Sequence, residues 1–274
     1  MIKILRRLTW AAAALSPLLA LSTANAGLVT YFGQDLQTAR NANGAGTPVV
    51  IAHPNSDVAN QAFLSRLTGV QTESFEGVAL NTPVASVVTN LGGSSTTFTG
   101  QGRIVNNNSP NAPSGSPSTP TQLDNGRFAI SGTQFLATQD DFTVNFTSPQ
   151  AAFGFYATDI GDVRGTLTIQ FLNGSSSIVG FPVPPMGGIS GPRANGSVLF
   201  FGLVGDTTAD LFSSVRFNLS TTENDVFGFD DLTVGNLGQV ITTPEPTSMI
   251  PAALAGLFGI GYFRYGRRAK SGSR

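Results

Sequence analysis

The chain has 274 residues, only 11% of them charged, and its formal net charge is −1. Typical soluble domains carry about 25% charged residues, and this near-neutral balance lacks the basic patch that a nucleic-acid binder needs. The chain has no cysteine and a single histidine, which excludes disulfides, a cysteine nucleophile and a zinc site built from His and Cys.

The N-terminus has the anatomy of a secretory signal peptide. Its positively charged residues are Lys3, Arg6 and Arg7. An uncharged apolar run follows at residues 10–21, and Ala24 and Ala26 supply the small-x-small pattern that signal peptidase recognises. The apolar run is too short to span a bilayer comfortably. We therefore expect signal peptidase to remove residues 1–26 during export of the unfolded chain.

Residues 27–240 follow as one domain of short predicted strands rich in Val, Ile, Phe and Thr. The strands are expected at residues 28–32, 71–75, 84–89, 96–104, 142–146, 152–157, 166–172, 198–203, 215–219 and 227–234. Clusters of Gly, Asn, Asp, Ser and Pro separate them, as in sandwiches. One helix is expected near residues 57–68, capped by Ser56 or Asp57. The sequence thus predicts an all-β fold, a single antiparallel two-sheet sandwich that is jelly-roll-like.

The C-terminal tail, residues 241–274, carries three features in order. Pro244 and Pro246 favour an extended backbone around Glu245. An apolar segment follows at residues 249–263, and as a helix it would cover about 22 Å, short of a hydrocarbon core of about 30 Å. Basic residues close the chain: Arg264, Arg267, Arg268 and Lys270. The positive-inside rule places this end in the cytoplasm and the main domain outside.

This tail resembles the PEP-CTERM sorting signal of Gram-negative bacteria that make extracellular polysaccharide. The resemblance implies that an exosortase recognises and cleaves the tail at a processing motif, Pro244, Glu245 and Pro246. It also implies that a basic cytoplasmic anchor, Arg264, Arg267 and Arg268, and a short transmembrane helix, residues 249–263, hold the chain transiently in the inner membrane. The final location would be the cell surface, the outer membrane or the medium.

Three segments of the main domain are similar to segments that recur in PEP-CTERM ectodomains and in jelly-roll carbohydrate-binding modules. They are residues 74–77, 154–159 and 229–232. In such modules an early-strand Glu and a last-strand Asp meet at a structural calcium ion, and calcium prefers oxygen ligands. The resemblance therefore implies a calcium site shared by Glu76 and one of Asp230 or Asp231. The alternative is that these acids are solvated residues of turns and strand ends.

The sequence offers little that indicates catalysis. His53 has no evident partner and is interpreted as a surface or cap residue. A glycosidase needs two acids that face each other across a cleft at about 5–10 Å, and no pattern pairs the acids Glu73, Glu76, Asp159, Asp162, Asp230 and Asp231. Trp10 lies in the signal peptide, so the exported domain lacks the usual Trp platform on which sugars stack.

We therefore expect a non-catalytic surface or extracellular matrix protein associated with exopolysaccharide or biofilm. The alternative is a carbohydrate-binding module with a specific glycan ligand, and a glycan hydrolase ranks below both. A sheet face lined with polar and aromatic side chains would favour the glycan-binding alternative.

Overall fold

The computed structural model describes residues 27–36, 39–40, 49–50, 52–107, 127–139, 141–161, 166–183, 196–220 and 226–241. Several sequence predictions lie outside these ranges: the signal peptide with Ala24 and Ala26, Asp162, Pro244, Glu245, Pro246, the apolar segment 249–263, and Arg264, Arg267 and Arg268. Within the described ranges, no helix is both long enough and apolar enough to cross a membrane.

The described chain forms fifteen strands and one α-helix. The strands are β1 Val29–Asp35, β2 Ala39–Arg40, β3 Val49–Val50, β4 Gln71–Glu73, β5 Val88–Leu91, β6 Ser94–Thr99, β7 Gly102–Asn106, β8 Gln134–Gln139, β9 Thr143–Gln150, β10 Ala152–Thr158, β11 Leu167–Asn173, β12 Ser176–Pro182, β13 Val198–Val204, β14 Phe212–Leu219 and β15 Val226–Gly235. Helix α1 spans Pro54–Leu64, and short 3₁₀ turns lie at Val84–Ser86, Thr208–Asp210 and Leu237–Gln239.

Two antiparallel sheets pack face to face, which confirms the predicted sandwich. The seven-stranded sheet has the order β1-β13-β10-β15-β8-β7, with β4 also paired to β15, and the six-stranded sheet has the order β12-β11-β14-β9-β6-β5. From β9 onward the chain passes repeatedly between the sheets, as in jelly rolls. The last strand, β15, lies inside its sheet between β10 and β8.

Phenylalanine dominates the core between the sheets. The alternation of β11 places Leu167, Ile169 and Phe171 in this core, each at most 2% exposed, as the sequence predicts. From the opposite sheet, Phe155 stacks on Phe229 with ring centroids 4.8 Å apart. Since a buried Phe contributes about 1.5–3 kcal/mol of transfer free energy, this apolar layer stabilises the domain without disulfides.

Helix α1 covers part of the outer face of the seven-stranded sheet. Its Phe63 is fully buried against a pair of cross-strand neighbours, Gly154 of β10 and Gly202 of β13. A Cβ atom at either glycine would lie 2.6 or 2.7 Å from the Phe63 ring. These glycines therefore leave the space in which the helix packs.

The start of α1 differs from the sequence prediction. The helix begins at Pro54 rather than near residue 57, and neither Ser56 nor Asp57 caps it. Asp35, at the end of β1, accepts the N–H groups of Asn55 at 3.1 Å and of Ser56 at 2.8 Å. A carboxylate at a helix N-terminus is favourable, and here it comes from a strand twenty residues earlier, which no local pattern reveals.

Several of the predicted strands have wrong bounds, and four strands were missed. Gly100 has a φ of +126° and turns the chain, so the single strand predicted over 96–104 is two strands, β6 and β7. The segment predicted at 84–89 begins as a 3₁₀ turn. The missed strands are the two-residue strands β2 and β3, together with β8 and β12. β12 starts with serines and has a largely exposed pattern, which hides its strand character.

Candidate functional site

Asp230 and Asp231 lie at a β-bulge. The register of β15 against β10 shifts next to the Tyr156–Asp230 pair, and Asp231 has a φ of +48°, in the left-handed region that aspartate tolerates. Side chains in a regular strand alternate between faces, so consecutive aspartates would place one carboxylate in the Phe core. The bulge instead lets both carboxylates bond to the same outer segment of the chain.

That segment consists of residues 127–134, which we call the strap. It lies over the outer face of the seven-stranded sheet and leads into β8. Most of its backbone N–H groups donate to side-chain oxygens of the sheet and of neighbouring turns. The pairs are Phe128 to Thr158 at 3.2 Å, Ala129 to Asn107 at 2.8 Å, Ile130 and Ser131 to Asp230 at 2.8 and 3.3 Å, Thr133 to Glu76 at 2.7 Å, and Gln134 to Glu76.

Three carboxylates thus meet on the strap. Asp230 is 1% exposed, and its second oxygen accepts the N–H of Asp231 at 2.8 Å. Asp231 accepts the hydroxyl of Ser131 at 2.5 Å. Glu76, from the turn after β4, binds the far end of the strap. Glu76, Asp230 and Asp231, which the resemblance grouped, therefore all bond to one segment of the chain.

Burial sets the protonation of the aspartate pair. Burial raises the pKa of Asp230 well above its ordinary value, and the negative charge of Asp231 raises it further, against the backbone N–H groups that Asp230 accepts. Burial also raises the pKa of Asp231, against the hydrogen bond from Ser131. The folded protein therefore holds protons on this pair more tightly than the unfolded chain does.

The arrangement of these carboxylates does not fit a calcium ion. Calcium needs about six to eight oxygen ligands turned towards it, whereas the oxygens of Asp230 and Glu76 accept backbone N–H groups. Across the described ranges, no group of three or more His, Cys, Asp or Glu residues is placed to hold a metal ion. The calcium site stays a prediction, and its test is given in the Discussion.

A second polar group fixes the start of α1 to the same sheet. The Nδ1 atom of His53 lies 2.9 Å from Oδ1 of Asp57, although poorly aligned for a hydrogen bond, and the hydroxyl of Tyr156 donates to the same oxygen at 2.9 Å. The rings of His53 and Tyr156 meet edge to face at 5.7 Å. Burial and the Asp57 hydrogen bond raise the pKa of Tyr156. His53 therefore packs at the helix start.

Two other acids considered for catalysis, Glu73 and Asp159, also bond within the fold. Glu73 accepts the N–H of Phe75 at 2.8 Å and the hydroxyl of Thr89 at 2.6 Å, which closes the turn after β4. Asp159 is buried, and its Oδ2 lies 3.5 Å from Nη1 of Arg127 at the start of the strap. These acids hold turns and the strap in place.

The strap itself was not among the sequence predictions. Arg127 and Ser131 bind the acids, yet neither belongs to a recognisable motif. The signal that could have found the strap is the short apolar run at residues 128–130, where Phe128 and Ala129 are buried. An apolar run between polar segments indicates a segment that packs on the fold.

Comparisons with known proteins add a likeness of fold. No family model matches the chain, and no curated protein matches it. A cleaved adhesin domain of Lys-gingipain is similar over 61% of this chain and 97% of that domain, with 12% identity and a TM-score of 0.38. The xylan-binding domain from CBM 22 is similar over 62% of this chain and 96% of that domain, with 16% identity and a TM-score of 0.32. Both likenesses are too distant to inform on a ligand.

Proposed function

We propose that the chain is an exported, non-catalytic protein of the cell surface or extracellular matrix that associates with extracellular polysaccharide. The sequence signals at both ends support export and sorting. The observation that carries the non-catalytic part is the use of the conspicuous acids as hydrogen-bond acceptors for the strap and the turns. The fold beneath them is a two-sheet β-sandwich.

The strap argues against a glycosidase pair. A general acid or base must come within about 3 Å of the group it serves. Asp230 is 1% exposed and already accepts three backbone N–H groups, and Glu73 closes its own turn. Glu76 is exposed, yet its carboxylate holds the N–H groups of Thr133 and Gln134. We therefore expect no release of reducing ends from polysaccharides.

The proposed route of export has two processing steps. Signal peptidase removes residues 1–26, and the apolar segment 249–263 then holds the chain in the inner membrane. An exosortase cleaves at Pro244, Glu245 and Pro246, which releases the domain to the surface, the outer membrane or the medium. This route rests on the resemblance of the tail to PEP-CTERM signals.

The route is tested in the producing cells by fractionation and mass spectrometry of the chain termini. The wild-type chain is expected outside the inner membrane, without residues 1–26 and without the basic end. Glu245→Ala should stay in the inner membrane with its tail, whereas Glu223→Ala, a matched change outside the motif, should be processed normally. A wild-type chain that keeps both ends would contradict the proposal.

A further inference from the structure

The two sheets differ in what covers their outer faces. Helix α1 and the strap pack on the seven-stranded sheet, with Phe63 and Phe128 fully buried. In the described part of the chain, no helix or strap packs on the outer face of the six-stranded sheet, whose outward side chains are partly or fully exposed. This exposed surface, which we call the open face, spans six adjacent strands.

The open face is built of rows that cross the strands, because paired residues of antiparallel strands lie on the same face. One row consists of Gly180, Gln170, Arg216, Thr143 and Thr99. The adjacent row includes Leu172, Ser214, Asn145, Thr97 and Val88. With strands about 4.8 Å apart, each row extends for about 19 Å, the length of several sugar units of a polymer laid across the strands.

The side chains of these rows are mostly hydroxyls and amides with free hydrogen-bonding capacity. The amides of Gln170 and Asn218 make no hydrogen bond to other described residues, and that of Asn145 makes a long one, 3.5 Å, to Thr99. Each amide offers two donors and an acceptor, which suits the hydroxyl groups of a sugar. Water satisfies these groups in the free protein, and a ligand that reproduces its hydrogen bonds can replace it.

Charge and apolar content decide which class of polymer fits the open face. Among the outward residues of the six strands that form the open face, Arg216 is the one charged residue, and its Nη2 lies 2.9 Å from Oδ1 of Asp141. A nucleic acid or other polyanion would need several unpaired cations. A protein partner would need a clustered apolar anchor, whereas Leu172 and Val88 lie four strands apart. The face is electrically matched to an uncharged, hydroxyl-rich polymer.

We propose that the open face binds an uncharged polysaccharide through Gln170 and Asn145, an inference that rests on the proposed association with extracellular polysaccharide and names its surface. Gly180, the cross-strand neighbour of Gln170, has no side chain, which leaves the amide accessible from that side. The rows carry no aromatic platform, so binding depends on many weak hydrogen bonds along the polymer. Long chains should therefore bind more tightly than short oligosaccharides.

The test is affinity electrophoresis of the full chain in gels that contain extracellular polysaccharide of the producing cells. Anion exchange first separates this polysaccharide into an uncharged and an anionic fraction. The uncharged fraction should retard the chain equally at low and high salt. The double variant Gln170→Ala with Asn145→Ala should bind about tenfold more weakly, because two amide hydrogen bonds are lost.

Gln71→Ala is the matched control, since Gln71 is also an exposed strand glutamine but lies on β4 of the other sheet. Its affinity should stay within about twofold of wild type, and melting curves check that all variants fold. Equal weakening in the control, retardation by the anionic fraction alone, or no retardation by either fraction would overturn the inference. Fractionation of the cells tests the proposed export and sorting separately. A double variant that binds as tightly as wild type would overturn the assignment of the open face alone, whereas a wild-type chain that no polysaccharide retards would also contradict the proposed association.

Discussion

Asp231 combines a left-handed backbone with a charge beside the buried carboxylate of Asp230. Since the folded-state pKa of both is raised, stability falls as the pH rises from the unfolded value of about 4 through the raised pKa. Asp231→Asn keeps the acceptor for Ser131, tolerates a positive φ and removes one charge. We expect its melting temperature at pH 7 to exceed that of wild type by about 2–4 °C, with the difference lost near pH 3–4.

Asp141→Asn is the control for this prediction. Asp141 also has a positive φ, +61°, but it is exposed and paired with Arg216 on the surface. Exposed ion pairs contribute about 0–1 kcal/mol, so the melting temperature of Asp141→Asn should stay close to that of wild type at both pH 4 and pH 7. A similar gain in both variants would mean that backbone conformation, rather than the buried charge, explains the effect.

The three acids that bind the strap show how much of the candidate site could be predicted from the sequence. Segment resemblance grouped Glu76 with Asp230 and Asp231 as ligands of one calcium ion, which stays a prediction. In the structure the three side chains bond to the strap. Their partners are backbone N–H groups of the strap, which every residue except proline has. The identity of the acidic side chains therefore gave no information about which hydrogen-bond donors they bind.

At the scale of single elements, α1 depends on the glycine pair beneath Phe63. Gly202→Ala would place a Cβ atom 2.7 Å from the Phe63 ring, and overpacking of this kind costs about 1–3 kcal/mol. We expect denaturant unfolding to show a loss of about 2 kcal/mol. Gly77→Ala, where no atom lies within 4 Å of the added Cβ, should change stability by less than about 0.5 kcal/mol. Equal losses would exclude the packing explanation.

The strap gives the element-scale test of the calcium prediction. Glu76→Ala removes the acceptor of Thr133 and Gln134 and should cost about 1 kcal/mol, whereas Glu76→Gln keeps an acceptor oxygen and should cost less. If the carboxylates serve the strap, the melting temperature will be the same in EDTA and in excess calcium. A calcium-dependent rise that Glu76→Gln abolishes would instead establish the metal site.

The predicted boundaries of an element agree with the structure where neighbouring residues determine them. They differ where a residue distant in sequence determines them. The strand containing Leu167, Ile169 and Phe171 was predictable because its alternation matches a half-buried sheet. The start of α1 was not, because Asp35 caps it from β1. The hydrogen bonds of the strap were not predictable either, since they are made to side chains distant in sequence.

At the scale of the whole molecule, the protection of backbone amides from hydrogen exchange should be greater in the covered seven-stranded sheet than in the six-stranded sheet with its open face. All residues of β10 and β13 are buried, and both strands have neighbours on either side. β12 lies at the edge of the six-stranded sheet with mostly exposed residues. Mass-spectrometric exchange should therefore be slowest in β10 and β13, intermediate in β11 and fastest in β12. Equal protection of β12 and β10 would show that another partner covers the open face.

The position of β15 has a consequence for when this chain can fold. β15 is the last of the described strands to be synthesised, yet it lies in the middle of its sheet, and β1 pairs with β13, Val29 opposite Val204. Folds dominated by such distant pairings form slowly, so the seven-stranded sheet cannot close until its C-terminal strand has emerged. For the proposed export, this topology would delay formation of the native state and leave the polypeptide unfolded while it crosses the membrane.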